Sequence, residues 1–266
     1  MFGNIFNQLI PGQLYHVNQE GGRTVLAEPS DQFSSAVFYY WLMQIDDAET
    51  NLEVIPDAAL DLVVSPLIPQ FSVIYPPVIK KFSIPLNGPA LYAGISFEPE
   101  AAQHFFDTDL NTMATLEPGP ATTKALNLGE LTDAIQGVTD IHDVKTIFDR
   151  ELRTKNFKPV KRLQQSVYQS FVEKLDTGGA REVAQRIGIS ERQFRRTIND
   201  ISGLSPKQVQ RIVRLQQLLH EIFNAGAVTA DDGFYDDSHR IREMKELTGL
   251  TYGELRKMAE IYNKTK

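Results

Sequence analysis

GISERQFRRTINDISGLSPKQVQRIVR, residues 188–214, is the stretch that decides how this chain is read. Just before it, Val183, Ala184 and Ile187 form the apolar side of a short helix, and Gly188 supplies the positive φ that a tight turn requires. Ser190 stands where a new helix needs a side-chain oxygen to cap its free N–H groups. Phe194 and Ile198 are four residues apart and share the buried face of that second helix. Arg192, Arg195 and Arg196 point elsewhere, where guanidinium groups can reach guanine edges or phosphates. The spacing predicts a helix-turn-helix with a basic recognition helix.

Composition sets the frame around it. The chain has 266 residues, room for one or two domains, and its 42% hydrophobic content fills ordinary cores. It has no cysteine, which excludes disulfides, thiolate catalysis and Cys-based zinc sites and suits a reducing cytoplasm. The first ten residues, MFGNIFNQLI, lack the positive start and long apolar stretch of a signal peptide. No run approaches the roughly 20 apolar residues of a membrane helix. A cytoplasmic protein without a membrane partner is the expectation.

The net charge of −7 divides unevenly. Residues 1–155 carry 8 basic and 20 acidic side chains, a balance of −12, whereas residues 156–266 carry 19 and 14, a balance of +5. Residues 180–214 alone hold 8 basic and 3 acidic side chains. An acidic module joined to a phosphate-binding one produces this asymmetry.

The first hundred residues favour strands. Val37–Ile45, Leu60–Val64, Phe71–Tyr75 and Leu91–Phe97 are rich in aromatic and branched residues and are separated by Pro-rich breaks, as in a barrel or sandwich. From Pro99 the pattern turns helical, with Ala102, Phe105 and Phe106 on one side. Leu116–Thr123 reads as a loop, and Leu126–Leu152 and Val160–Leu175 read as helices. The fold class is α+β: a β-rich domain with flanking helices over 1–155, then an all-α domain with tandem helix-turn-helix units over 156–266. Leu204-Ser205-Pro206 opens a long helix from Lys207 to about Phe223. Beyond it, residues 233–255 echo 188–208 at a distance of about 46 residues, with Thr248-Gly249-Leu250-Thr251 against Ser202-Gly203-Leu204-Ser205.

ISERQFRR, SGLSPKQVQRIVRLQ and GFYDDSHRIREMKELTG, in this order and spacing, resemble the AraC/XylS family of bacterial transcription regulators. FYYW at 38–41 and VIPDAALDLVV at 54–64 are similar to a sensor domain found in some of them. The resemblance implies a seven-helix DNA-binding domain behind a β-rich domain that binds an effector, dimerises, or both. It assigns base contacts to Arg192, Arg195 and Arg196 in the first unit and to Asp237, Ser238, His239 and Arg242 in the second. Ser190, Gln193, Lys207 and Arg211 complete the candidate DNA-binding residues. Three departures stand out: the segment before Gly233 is about three residues short, Arg240 replaces an aromatic, and Tyr252 replaces a proline. Residues 227–256 carry 4 basic and 7 acidic side chains, and Asp231, Asp232, Asp236 and Asp237 would face phosphate at a cost unless turned away, Asp236 also suiting an N-cap. The first unit is therefore expected to carry most base readout.

Blander readings stand beside these. The arginines also suit a solvated surface, Arg211 and Arg214 suit helix packing, and His239 suits capping. Phe38–Trp41 reads as β-core before it reads as a ligand cage. Asp57 and Asp61 are explained by turn formation and strand capping as well as by paired catalysis. His16, His104 and His142 have no metal-ligand spacing, no serine is visibly activated, and Gly21-Gly22 and Gly178-Gly179 read as turns. No catalytic residue, metal or cofactor is assigned, and an enzyme is not expected. The leading expectation is a sequence-specific transcriptional regulator with double-stranded DNA as partner. RNA polymerase, a small-molecule effector and a second copy of the chain are further candidate partners. The alternative is a degenerate regulator that acts through protein–protein contacts and hardly touches DNA.

Overall fold

The structure, a computed structural model, describes residues 13, 22–46, 49–155, 180–224 and 238–265. The expected helix over 160–175, the 178–179 turn, His16, Gly21 and the aspartates at 231, 232, 236 and 237 lie outside these residues. The described chain is α+β, with a β-rich region followed by a helical one.

Seven strands are described: β1 Gly22–Ala27, β2 Val37–Ile45, β3 Glu49–Val54, β4 Leu60–Val64, β5 Ser72–Tyr75, β6 Phe82–Asn87 and β7 Ala90–Phe97. They form a five-stranded sheet of order β1-β2-β7-β4-β5 and a separate β3-β6 pair, with every pairing antiparallel. Side chains alternate across a strand, so Tyr40 and Leu42 enter one apolar cluster with Leu62 and Ile95, while Trp41 and Met43 enter another with Val63 and Val73. Helices cover the first face. The β3-β6 pair lies over the second, where Leu52, Val54 and Leu86 pack against Trp41 and its neighbours.

The covering helices are α1 Pro99–Phe106, α2 Leu110–Met113, α3 Pro120–Ala125, α4 Gly129–Ala134 and α5 Ile141–Thr154. Two sequence expectations are corrected here. The Leu116–Thr123 loop gives way to α3 at Pro120, and the single helix over Leu126–Leu152 is two, parted around Gly137, whose φ is +72°. The apolar spacing runs through the break, but the left-handed backbone there cannot continue a helix. Asp140 then caps α5 by accepting from the His142 N–H at 2.7 Å. The fully buried Tyr40 stacks on Phe148 of α5 with ring centroids 5.6 Å apart and donates its hydroxyl to Asp149 Oδ1 at 2.6 Å. Burial, and then the bond to Asp149, hold the Tyr40 phenol above its ordinary pKa, so it remains a donor.

The helical region holds α6 Ala180–Ile187, α7 Glu191–Ser202, α8 Pro206–Asn224, α9 Ser238–Thr248 and α10 Tyr252–Thr265. At 1.5 Å per residue α8 is about 28 Å long, and it serves two cores. Val209, Ile212 and Val213 pack with Val183, Phe194 and Ile198, whereas Leu218, Leu219 and Phe223 pack with Met244, Leu247 and Leu255.

The link between β3 and β4 enters both of these cores. Ile55, fully buried, belongs to the second, and Ala58 (φ +59°) belongs to the first. Between them the Pro56 carbonyl accepts from Gln216 Nε2 at 2.7 Å. Gln13 braces the same link, donating to the Ile55 carbonyl at 2.7 Å and to Asp57 Oδ2 at 2.6 Å and accepting from the Ile55 N–H at 2.9 Å. Asp57 Oδ1 accepts from the Ala59 N–H at 3.0 Å, which bears out its turn role. Asp61 does not cap its strand end. It lies within β4 and accepts from Trp41 Nε1 at 3.4 Å and from the Ser96 hydroxyl.

Two predictions follow from this packing. A Cβ at Gly94 would fall 2.2 Å from the Trp41 indole, so Gly94→Ala must displace that ring. Urea unfolding of G94A should show a loss of about 1–3 kcal/mol, with a shifted tryptophan emission in the folded state. Burial holds the Glu100 carboxyl up to about 7, and burial with that neighbour raises Glu98 to about 8. Both bind protons more readily when folded. Their contribution is complete below the ordinary glutamate range and is lost as pH rises through about 7 to 8. Unfolding free energy should therefore rise on acidification through that window, and Glu100→Gln should flatten the rise.

Candidate nucleic-acid interface

The candidate recognition helix is α7, and each of its ends is built by side chains the sequence supplies. Gly188 turns the chain at φ +80° after α6. Ser190 Oγ accepts from the Gln193 N–H at 3.2 Å, satisfying a donor that the helix itself leaves free. Phe194 and Ile198 are fully buried, as their spacing implies. At the far end Gly203 takes φ +71°, and its N–H returns to the Asn199 carbonyl at 2.8 Å.

With that face fixed in the core, Arg192, Gln193, Arg195 and Arg196 stand exposed on the opposite one. Arg195 lies 2.7 Å from Glu191, and Arg196, whose side chain is 83% exposed, lies 3.5 Å from Asp200. Among the described residues Arg192 makes no ion pair. Exposed pairs of this kind contribute about 0–1 kcal/mol, so a phosphate or a guanine edge can replace the carboxylates at little cost. Lys207 is also exposed, in the first turn of α8.

Arg211 is placed differently. It is half-buried and forks between two carboxylates of α9, with Nε donating to Glu243 at 2.6 Å and Nη2 to Glu246 at 2.9 Å. Its guanidinium joins the two units. Sequence reasoning missed these partners because Glu243 and Glu246 lie 32 and 35 residues away. The available signal was their spacing of three, which puts them on one helix face.

The second unit repeats the local chemistry of the first. Ser202 donates to the Ile198 carbonyl at 2.8 Å and accepts from the Leu204 N–H at 3.2 Å. Thr248 donates to the Met244 carbonyl at 2.8 Å and accepts from the Leu250 N–H at 3.1 Å. Gly249, at φ +72°, matches Gly203. The next helix opens in each case with a reciprocal box: Ser205 with Gln208, and Thr251 with Glu254. Bonds from the Thr251 backbone and hydroxyl hold the Glu254 carboxyl below its usual range. Ser238 and His239 lie in the first turn of α9, with side chains outside the described residues, and Arg242 is exposed.

The other half touches this interface at its edges. Gln103 of α1 donates to the Asp200 carbonyl at 2.9 Å, at the C-terminal end of α7. The Lys81 N–H donates to the Leu247 carbonyl of α9 at 3.2 Å. Among the described residues no group of three or more His, Asp or Glu could hold a metal ion. No described helix is long and apolar enough to cross a membrane.

Residues 183–258, from within α6 to within α10, match a family model described as a helix-turn-helix domain. Residues 26–116 match a domain of unknown function (DUF6597). A solved structure of ToxT from Vibrio cholerae is similar over 90% of this chain and 99% of that one, at 8% identity and a TM-score of 0.37. No curated protein matches the sequence. The family match falls on the paired units whose caps and glycine turns repeat along the chain. The C-terminal region of this protein is a helix-turn-helix domain of the AraC/XylS type.

Proposed function

We propose that the protein is a sequence-specific, DNA-binding transcriptional regulator of the cytoplasm, in which residues 156–266 read DNA and residues 1–155 modulate that reading. The observation that carries it is the outer face of α7. There three arginines stand exposed on a helix locked by its cap, its glycine turn and two fully buried apolar side chains. In this reading Arg192, Arg195 and Arg196 contact base edges, and Lys207 with backbone amides near Ser190 fixes the duplex by its phosphates. Arg211 sets the angle between the units, and the second unit, Ser238, His239 and Arg242 included, contributes less readout. No catalytic role is assigned. RNA polymerase, an effector and a second copy remain the partners this reading calls on.

Modulation runs through the β3–β4 link, because Ile55 and Ala58 sit in the cores of the two units. Any effector that shifts this link must favour one arrangement of the units over the other by its own difference in affinity. A second reading, action through protein contacts alone, is favoured by the commitment of Arg211 to Glu243 and Glu246.

Selection of genomic fragments on the full-length chain separates the two readings. An enriched motif is expected, with affinity that falls steeply as salt rises. Arg196→Ala should then lose about 1–3 kcal/mol for that motif while non-specific binding changes far less. A folded chain that enriches no sequence would overturn the proposal in favour of the protein-binding reading.

A further inference from the structure

The face of the large sheet turned away from the helices does not close completely. Between it and the β3-β6 pair lies a cavity of about 240 Å³. This is below the roughly 300–1,000 Å³ of sites for drug-sized ligands, so it suits a compact molecule. Its wall is aromatic, built by Trp41, Phe71, Tyr75 and Tyr92, with Val54 and Leu86 among the residues opposite. Among the described residues one lining residue is neither apolar nor aromatic: Asp61, only 8% exposed.

Asp61 is half satisfied. Both of its hydrogen bonds among the described residues, from Trp41 Nε1 and the Ser96 hydroxyl, fall on Oδ1. Oδ2 accepts none among them, and among the described residues no lysine or arginine lines the cavity. Burial, and then the neighbouring Asp57, push the Asp61 carboxyl above its ordinary range. Burial, Tyr92 and Asp61 likewise raise the Tyr75 phenol. A buried carboxylate is ordinarily paired. Ring faces carry partial negative charge, so they leave this one uncompensated and attract a cation. An anionic guest would meet repulsion at Asp61. A divalent metal would find one carboxylate where it needs several oxygen donors.

We propose that this cavity binds a small organic cation, a protonated amine on an apolar body, whose N–H donates to Asp61 Oδ2 while the rings of Trp41, Phe71, Tyr75 and Tyr92 enclose it. The site belongs to the β-rich region and stands independently of the DNA-reading proposal, so its test uses no DNA.

Trp41 is the single tryptophan of the chain, and its emission reports entry into the cavity. The full-length protein is titrated at neutral pH, by this emission and by calorimetry, with benzylammonium, benzyl alcohol and benzoate. A second set is cyclohexylammonium, cyclohexanol and cyclohexanecarboxylate. The ammonium member of at least one set should bind about tenfold tighter than its alcohol or more, with the carboxylate weakest. Asp61→Asn keeps the oxygen that Trp41 and Ser96 use and should bring the ammonium to the level of the alcohol. Tyr75→Leu should weaken the ammonium more than the alcohol, and it decides the matter if D61N does not fold. The proposal is overturned if alcohols or carboxylates bind as tightly as the ammonium ions. It is equally overturned if no ammonium binds the folded wild-type chain, or if D61N leaves the preference intact.

Discussion

The pairing of β2 with β7 is the constraint on which the β-rich region depends. It sets Trp41 opposite Gly94 and Tyr40 opposite Ile95. Because neighbouring side chains point to opposite faces, a slip of one residue would exchange the two rings. Tyr40 would lose Phe148 and Asp149, and Trp41 would leave the cavity. Gly94 makes the observed register possible, since the indole lies where any Cβ would be. One strand pair thus determines both the helical core and the shape of the opposite face.

In the helical region the apolar residues set the cores, but polar ones set the ends. Ser202 and Thr248 close their helices with the same two bonds, and Ser205 and Thr251 open the next ones with the same box. These local bonds are specified by a few adjacent residues and hold whatever the distant surroundings are. The units differ where charge is concerned: α7 presents arginines, whereas α9 spends Glu243 and Glu246 on Arg211.

Such locality explains what could be read from sequence. The strands through FYYW and LDLVV, the Gly188 turn, the Ser190 cap and the buried pair Phe194 and Ile198 are legible because propensity, spacing and capping agree. The strands β1, β3 and β6 escaped. Their segments GRTVLA, ETNLEV and FSIPLN carry polar residues, the last also a proline, and their order comes from pairing with distant partners. The break at Gly137 was hidden by apolar spacing that continues across it. The aromatic run was read as core, and the structure divides it, with Tyr40 in the core and Trp41 on the cavity. Asp61 reads in sequence as a strand cap, and its place beside Trp41 and Ser96 escaped because that setting is assembled from strands far apart in the chain.

The β3–β4 link has a consequence for how such a protein can be cut and recombined. In sequence the helical region from Ala180 follows the β-rich one, but in space the second half is completed by Ile55 and Ala58 of the first. Severing the chain at the sequence boundary removes a plug from each helical core and leaves two apolar sockets open to water. The halves are thus less like beads on a thread than like a key left in its lock. An exchange of the β-rich half for another module has to bring a matching key, so the architecture itself limits which combinations of β-rich and helical modules remain foldable.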